Sequence, residues 1–532
     1  MSLSKFYKEA VGYRVAGGHA ADHAAMGIQP SSFNMSAIPA PIIAGRVFRP
    51  DGFSALTGQT FARVYKLYKS TGVIRLLFTN LAMQGGTIEN SVGTYTISGC
   101  GILFGSTKVV VTFQGSTSIN VPTYGVVISD PIILPSAFVS AGSAFRVDTY
   151  VTQTGGLAYL PTTTQNNVIS KNGYNEGYLN GDFSATTNSF GGASASVSFG
   201  PTAVIGFSND TSNNTTALFG DSITAGTGFS TYITPSSFAM YALDQQNVSG
   251  INGARGGETL ASMNTYVIST KRMANAVGMP RAITCYGTND VGAGTTTSAL
   301  KALYLTHWNN LKNIGIKTIY QTTLLPRVNT TDGFRTASNQ TLFSGSTQEQ
   351  VRQDINKWLR APVSAGAGNS ALFDAMGVLF GVFDTALSLE VNSNNSLIVI
   401  NPSTGAISNG VGGFTYNEPT IYDSGTVTGT TTANLTDTSK VWTPNQWLEY
   451  SVIIVTDSGN PSAVGQSAPI SANTTNRISV DSWRSATVAS GVSTVNTPSS
   501  SATYAIMKIF TYDGIHPSTQ GHYKMANAIV VS

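Results

Sequence analysis

Charge is what this sequence lacks most. Of 532 residues, 29 are Lys or Arg and 26 are Asp or Glu, 10% of the chain, where ordinary soluble domains carry about 25%. The net charge is only +3 and the apolar fraction is 41%, which excludes charge-driven disorder. The few cations form no basic patch, so no nucleic-acid partner is expected. No run approaches the roughly 20 apolar residues of a membrane helix, and no membrane partner is expected. Heptads rich in Leu, Glu and Lys are missing, and a coiled coil with them. Cysteine is nearly missing: Cys100 and Cys285 make neither a metal spacing nor a disulfide framework, and two cysteines allow a single long-range bridge without fixing one. Residues 1–18 hold no apolar stretch behind their lysines, so no secretory signal is expected; the chain stays in its cell or leaves by a route such as lysis. Neither a phosphate loop nor a dinucleotide fingerprint is present, and no cofactor is expected. What remains is a large, β-rich globular chain whose polar surface is built from Gly, Ser, Thr and Asn.

Length suggests about three domains at ~150 residues each. Residues 1–55 lack periodicity and read as an arm or attachment segment. Residues 56–208 read as a β-sandwich of jelly-roll type. Runs such as 108–113 and 145–151 are rich in β-branched and aromatic residues, and Gly, Ser, Asn and Pro separate them. In the second run Phe145, Val147 and Val151 share one face, with Arg146 and Asp148 on the other. From 209 to 390 strands and helices alternate. Residues 216–219, 248–251, 282–286 and 316–325 read as strands, and 258–277, 294–314 and 347–360 as helices. Leu300, Leu303, Tyr304, His307, Trp308 and Leu311 form a helical stripe, as do Val351, Ile355, Trp358 and Leu359. Such alternation predicts a parallel sheet covered on both faces. Residues 391–508 return to β texture and read as a small inserted β domain, after which 509–532 resume the α/β domain. The expected fold class is therefore multidomain.

Four short blocks occur in order within the α/β regions: Gly220-Asp-Ser222-Ile-Thr224, Asn252-Gly-Ala-Arg-Gly-Gly257, Gly287-Thr-Asn289-Asp290 and Asp513-Gly-Ile-His516. The first three follow strands, at the sheet edge where open α/β proteins bind ligands. A serine hydroxyl is a weak nucleophile and needs a base. His516 suits that task near neutrality, and Asp513 can hold its other ring nitrogen. The backbone N–H groups of Ser222 and Gly257 and the Asn289 amide can stabilise an oxyanion, each such donor being worth about 100- to 1000-fold in rate. Gly253 or Gly256 can replace Gly257 in that role.

Together these blocks resemble the SGNH hydrolases, the GDSL-type esterases. The resemblance spans 212–390 and 509–532 and implies a flavodoxin-like α/β/α domain with a serine-esterase site. It implies Ser222, Asp513 and His516 as triad, and Ser222, Gly257 and Asn289 as oxyanion hole. Ile223 stands where leucine is common in the family. Residues 126–131 and 141–147 resemble a β-sandwich that precedes some esterase domains, and 424–447 resemble a small β module of phage virion proteins. These resemblances imply a phage tail or other virion protein that O-deacetylates a bacterial surface or capsular polysaccharide. Its location would be a virion or the extracellular space, its partners the acetylated polysaccharide and other tail proteins. Phage spikes are often trimers, so a homo-oligomer is expected although no trimerising coiled coil is visible. The alternatives are a lipase or lysophospholipase of the same family, and a receptor-binding or structural virion protein with a relict triad.

Other residues read more plainly. His19 and His23 have the spacing of a zinc helix but lack the glutamate and a third ligand, so no metal is expected. Asp221 and Asp290 read as turn and cap residues, His307 and Cys285 as core, and His522 as the start of the last helix. Trp442, Trp447 and Trp483 read as core, with sugar stacking the competing role.

Overall fold

The computed structural model describes residues 42–45, 52–55 and most of the chain from 58 onward. The longer stretches outside the described residues are 153–158, 163–169, 191–198, 207–214, 230–236, 365–378, 391–398, 401–406, 409–415 and 484–495. The arm expected over 1–55, with His19 and His23, lies outside them except for strands Ile42–Gly45 and Gly52–Ala55.

Two antiparallel sheets make up the N-terminal part. One runs Ile42–Gly45, Ala203–Gly206, Val73–Thr79, Val126–Ile128; the other runs Gly177–Asn180, Gln59–Lys66, Ala144–Thr152, Tyr95–Phe104, Thr107–Val110. Phe61, Phe78, Ile97, Phe145, Val147 and Val204 fill the space between them. Arg146 and Asp148, on the opposite face of their strand, are buried as well. They pair with each other at 2.7 Å, and Lys108 joins the same carboxylate. The outer face of the first sheet is apolar too. Leu77, Ala203 and Ile205 pack into the core of the next domain, so the strand period of two feeds two different cores.

That next domain is built on a parallel sheet. Its strands are β1 (Thr216–Gly220), β2 (Gly250–Asn252), β3 (Arg281–Cys285), β4 (Thr318–Thr322) and β5 (Leu379–Phe383), ordered β2-β1-β3-β4-β5. The helices are α1 (Ser222–Ala225), α2 (Phe238–Gln245), α3 (Leu260–Tyr266), α4 (Thr288–Gly292), α5 (Thr297–Asn313), α6 (Ser346–Ser364) and α7 (Thr519–Ala526). Ala217 and Phe219 face the core under α3, α5 and α6, while Leu218 between them faces the core under α2 and α7. Both faces are covered, as parallel strands require. This strand order reverses direction between β1 and β3, and the crevice beyond their carboxyl ends is the expected ligand site.

After β5 the chain builds a seven-stranded antiparallel sheet, Ile421–Thr426, Thr503–Met507, Ser451–Thr456, Ser467–Asn473, Arg477–Val480, Asn434–Thr436, Gly429–Thr430. Trp442 and Trp483 are buried in its core, and Trp447 packs against it half-buried. Both cysteines are free and buried, and burial pushes the Cys285 thiol on central β3 up to about 12. No helix among the described residues is long and apolar enough to cross a membrane.

Two buried histidines each oppose folding in acid. His307 on α5 stands edge-on to Phe219 and Tyr286 with neither ring nitrogen bonded. Burial, aided by the charge of Arg272, lowers it to about 3. His522 on α7 donates to the Thr227 carbonyl at 3.0 Å; burial outweighs that bond and lowers it to about 4. Unfolded histidine titrates near 6.5, so below that pH the unfolded chain takes up protons that the folded chain refuses. The stability contributed by these two histidines is complete above pH 6.5 and is lost as pH falls toward 4, by about 1.4 kcal/mol per unit for each group. Asp221, whose carboxyl burial raises to about 7, acts in the opposite sense over the same range, so the histidine contribution is read as a difference: from pH 7 to pH 5 the melting temperature of the wild type should fall relative to that of the His307→Leu variant. An equal slope in that variant would refute the assignment.

Candidate active site

β1 ends in a tight turn. A Cβ on Gly220 would strike Thr224 Oγ1 and the Cys285 carbonyl, so the chain bends into α1 there only with glycine. Asp221 caps α1 by accepting the Ile223 N–H at 2.9 Å. Burial pushes this carboxyl up to about 7, against the pull of the Ile223 N–H and of His516. Ser222 follows at the rim of the sheet. Its Oγ lies 2.7 Å from His516 Nε2.

The His516 loop is held from within. His516 Nδ1 lies 2.6 Å from Asp513 Oδ2, and Asp513 Oδ1 accepts the N–H groups of Ile515 at 2.9 Å and His516 at 2.7 Å. Burial alone would raise the Asp513 carboxyl, but the His516 hydrogen bond and charge, with the two N–H groups, hold it below the usual range. The aspartate is thus kept ionised, and the tautomer with Nδ1 protonated leaves Nε2 free to accept from Ser222.

Loops from the strands on either side of β1 flank the serine. On the β2 side, Arg255 N–H donates to the Gly220 carbonyl at 2.9 Å, and a turn closed by Glu258 N–H to Arg255 carbonyl at 3.3 Å presents Gly256 and Gly257. Gly257 has φ +72° and is exposed, a conformation suited to glycine. Gly253 donates its N–H to the Leu218 carbonyl at 2.9 Å, which removes it as an oxyanion donor. The N–H groups of Gly256, Gly257 and Ser222 have no acceptor among the described residues. On the β3 side, one Asn289 amide proton goes to the Glu258 carbonyl at 2.9 Å, which ties α4 to the glycine turn and leaves the second proton unused. Asp290 locks the same two loops by accepting the Leu260 and Ala261 N–H groups at 2.8 and 3.1 Å.

Under the glycine turn lies a charged network that the blocks do not reveal. Glu258 is fully buried. It takes Arg272 at 2.7 Å, Tyr286 Oη at 2.7 Å and Arg255 at 3.4 Å, and Arg272 also donates to the Gly253 carbonyl at 2.7 Å. Arg255 and Glu258, three residues apart, are a legible pair; Arg272 enters from a separate segment. Among the described residues no cluster of His, Cys, Asp and Glu could hold a metal ion.

The structure therefore brings Ser222, His516 and Asp513 into one hydrogen-bonded line, with Gly257 and Asn289 on the loops to either side. The family model for GDSL-like lipases and acylhydrolases matches residues 217–529. The chain belongs to this GDSL family of esterases and acylhydrolases. Solved structures with similarity include a family two carbohydrate esterase from Clostridium thermocellum in complex with cellohexaose (12% identity, 62% of this chain and 84% of that one, TM-score 0.25). A lipolytic G-D-S-L family member from Veillonella parvula has 15% identity over 33% of this chain and 79% of its own, TM-score 0.23. The lipase/acylhydrolase from Enterococcus faecalis has 16% identity over 32% and 76%, TM-score 0.22. No curated protein sequence matches the chain.

Proposed function

We propose that this GDSL-family protein is a serine O-acetylesterase acting on a bacterial surface or capsular polysaccharide, and that it works as part of a phage tail or other virion. The observation that carries the esterase chemistry is the aligned set Ser222 Oγ, His516 Nε2 at 2.7 Å and Asp513 Oδ2 at 2.6 Å from Nδ1. His516 takes the Ser222 proton as Oγ attacks the acetyl carbonyl. The Ser222 and Gly257 N–H groups and the free Asn289 amide proton receive the oxyanion. Imidazolium then protonates the departing sugar oxygen, and water, activated by the same histidine, releases acetate from the serine. Asp513 stabilises the imidazolium in both halves.

The polysaccharide target is supported by composition. The β modules on both sides of the catalytic domain are rich in Ser, Thr, Gly and Asn and poor in charge, a surface suited to a hydroxyl-rich polymer. The virion setting is supported by the likeness of 424–447 to a phage virion module. Incubation with a panel of acetylated bacterial capsules should release acetate from at least one, and the Ser222→Ala protein should release none. Equal release by both proteins, or none from any capsule, would refute the deacetylase reading.

A further inference from the structure

The loop that leaves β4 carries a cation that the triad and oxyanion loops do not use. Arg327 lies in a segment tied to the acid–base loop on both of its sides. The Tyr416 hydroxyl contacts the carbonyls of Pro326 at 3.3 Å and Ile515 at 3.4 Å, and Val328 N–H donates to the Gly514 carbonyl at 3.1 Å. Gly514 has φ +73°, and a Cβ there would collide with the Val328 carbonyl, so the two segments are in direct contact. From this anchor the Arg327 side chain reaches the opposite wall. Its Nη1 donates to the Thr288 carbonyl at 2.6 Å, beside Asn289, and a Cβ on Gly292 would come within 2.8 Å of Nη2. The Phe343 ring lies 5.3 Å from the guanidinium carbon. Arg327 thus spans the two loops, Asn289 and Asp513–His516, between which Ser222 opens.

What it lacks is an anion. Arg255, Arg272, Arg352 and Arg360 each face a carboxylate. Arg327 has none within ion-pair distance among the described residues, and its Nε is buried and unbonded. Half-burying a guanidinium without a counter-charge carries a desolvation cost, and a tie to one carbonyl needs only a neutral donor. Burial lowers the Arg327 pKa, while Asp221, Tyr416 and Asp513 draw it back up, so the charges of the site lie within its electrostatic reach.

We propose that Arg327 is a specificity-determining residue that binds a carboxylate on the sugar unit carrying the ester, making an O-acetylated acidic polysaccharide of the uronic-acid class the preferred substrate. The inference rests on the esterase reading above. With Nε buried, the Nη1–Nη2 end of the guanidinium can offer a carboxylate two parallel N–H bonds, which a lysine would not reproduce. The bond chemistry is unchanged: water cleaves the ester into acetate and a sugar hydroxyl.

The test compares mono-O-acetylated methyl glucuronoside, its neutral glucoside counterpart and the glucoside 6-phosphate and 6-sulfate. Each is given to wild-type, Arg327→Gln and Arg327→Lys proteins of matched melting temperature. The wild type should favour the glucuronoside over the glucoside in kcat/KM. Arg327→Gln should reduce that preference roughly 10- to 100-fold, mainly through KM, with partial recovery in Arg327→Lys. Equal loss on acidic and neutral esters, no wild-type preference, or preference only for phosphate or sulfate would overturn the proposal while leaving the esterase reading intact. Wild-type protein inert on every ester, with Ser222 unlabelled by a fluorophosphonate, would overturn both.

Discussion

Replacing Ser222 by alanine is expected to lower kcat about 10⁴- to 10⁶-fold on small acetyl esters, with KM little changed. The hydroxyl is the atom that forms the acyl bond, and alanine keeps the turn because the cap comes from Asp221 and the bend from Gly220. His516→Ala should lose as much. The double variant should lose hardly more, because nucleophile and base act as one unit. Steady-state turnover of 4-nitrophenyl acetate by the three proteins decides this. Losses that multiply, or substantial turnover by Ser222→Ala, would mean that the 2.7 Å contact between these residues is not the chemical centre.

The second large effect falls on a residue that touches no substrate. Glu258→Ala should destabilise the domain by about 3–5 kcal/mol, the usual result of breaking a buried pair and stranding its cations. Here two arginines, Arg255 and Arg272, are stranded, and the Tyr286 hydroxyl loses its acceptor. The Gly256–Gly257 turn hangs from the same residue through its backbone, and Asn289 bonds its carbonyl. Fluorophosphonate labelling of Ser222 should therefore slow along with the fall in urea midpoint. Glu258→Gln, which keeps the shape and one acceptor, should fall between. A stability loss below about 1 kcal/mol in the alanine variant would show that the network contributes little.

The strand–helix core is legible because its signals are local. The stripe from Leu300 to Leu311 predicts the helix observed as Thr297–Asn313, and its true start is set by the Thr296 cap. The strand expected over 316–325 is shorter, Thr318–Thr322, because the chain leaves the sheet after Thr322, and Leu324 and Leu325 are apolar for packing into the cores on the sheet's two faces and not for pairing. The fifth strand, Leu379–Phe383, has no such clear signal: five residues with a central glycine make no periodic pattern. Charges mislead most. Arg272 and Arg352 fall within the stretches read as helices, 258–277 and 347–360, but nothing local marks them as buried; both lie beside glutamates elsewhere in the sequence, Glu258 and Glu390. Arg146 and Asp148 read as the face opposite Phe145 and are buried as well, paired with each other and joined by Lys108 from the neighbouring strand region. A charge on an isolated helix or strand looks solvated, and only the tertiary partner reverses that. The catalytic blocks are legible in a different way, since glycine, serine and aspartate at strand ends report turn geometry directly.

The placement of the last block also ties catalysis to closure of the fold. The bond between Ser222 and His516 joins residues 294 apart in sequence. The strand that delivers the Asp513–His516 loop, Thr503–Met507, is itself paired with both Ile421–Thr426 and Ser451–Thr456. Met525, Ala526, Ile529 and Val531, which follow the catalytic loop, also complete the core on one face of the parallel sheet. Ser222 therefore gains its base in the same closure that finishes its scaffold. The onset of turnover in a refolding chain should report that joining of late segment to early sheet, and not the serine turn alone.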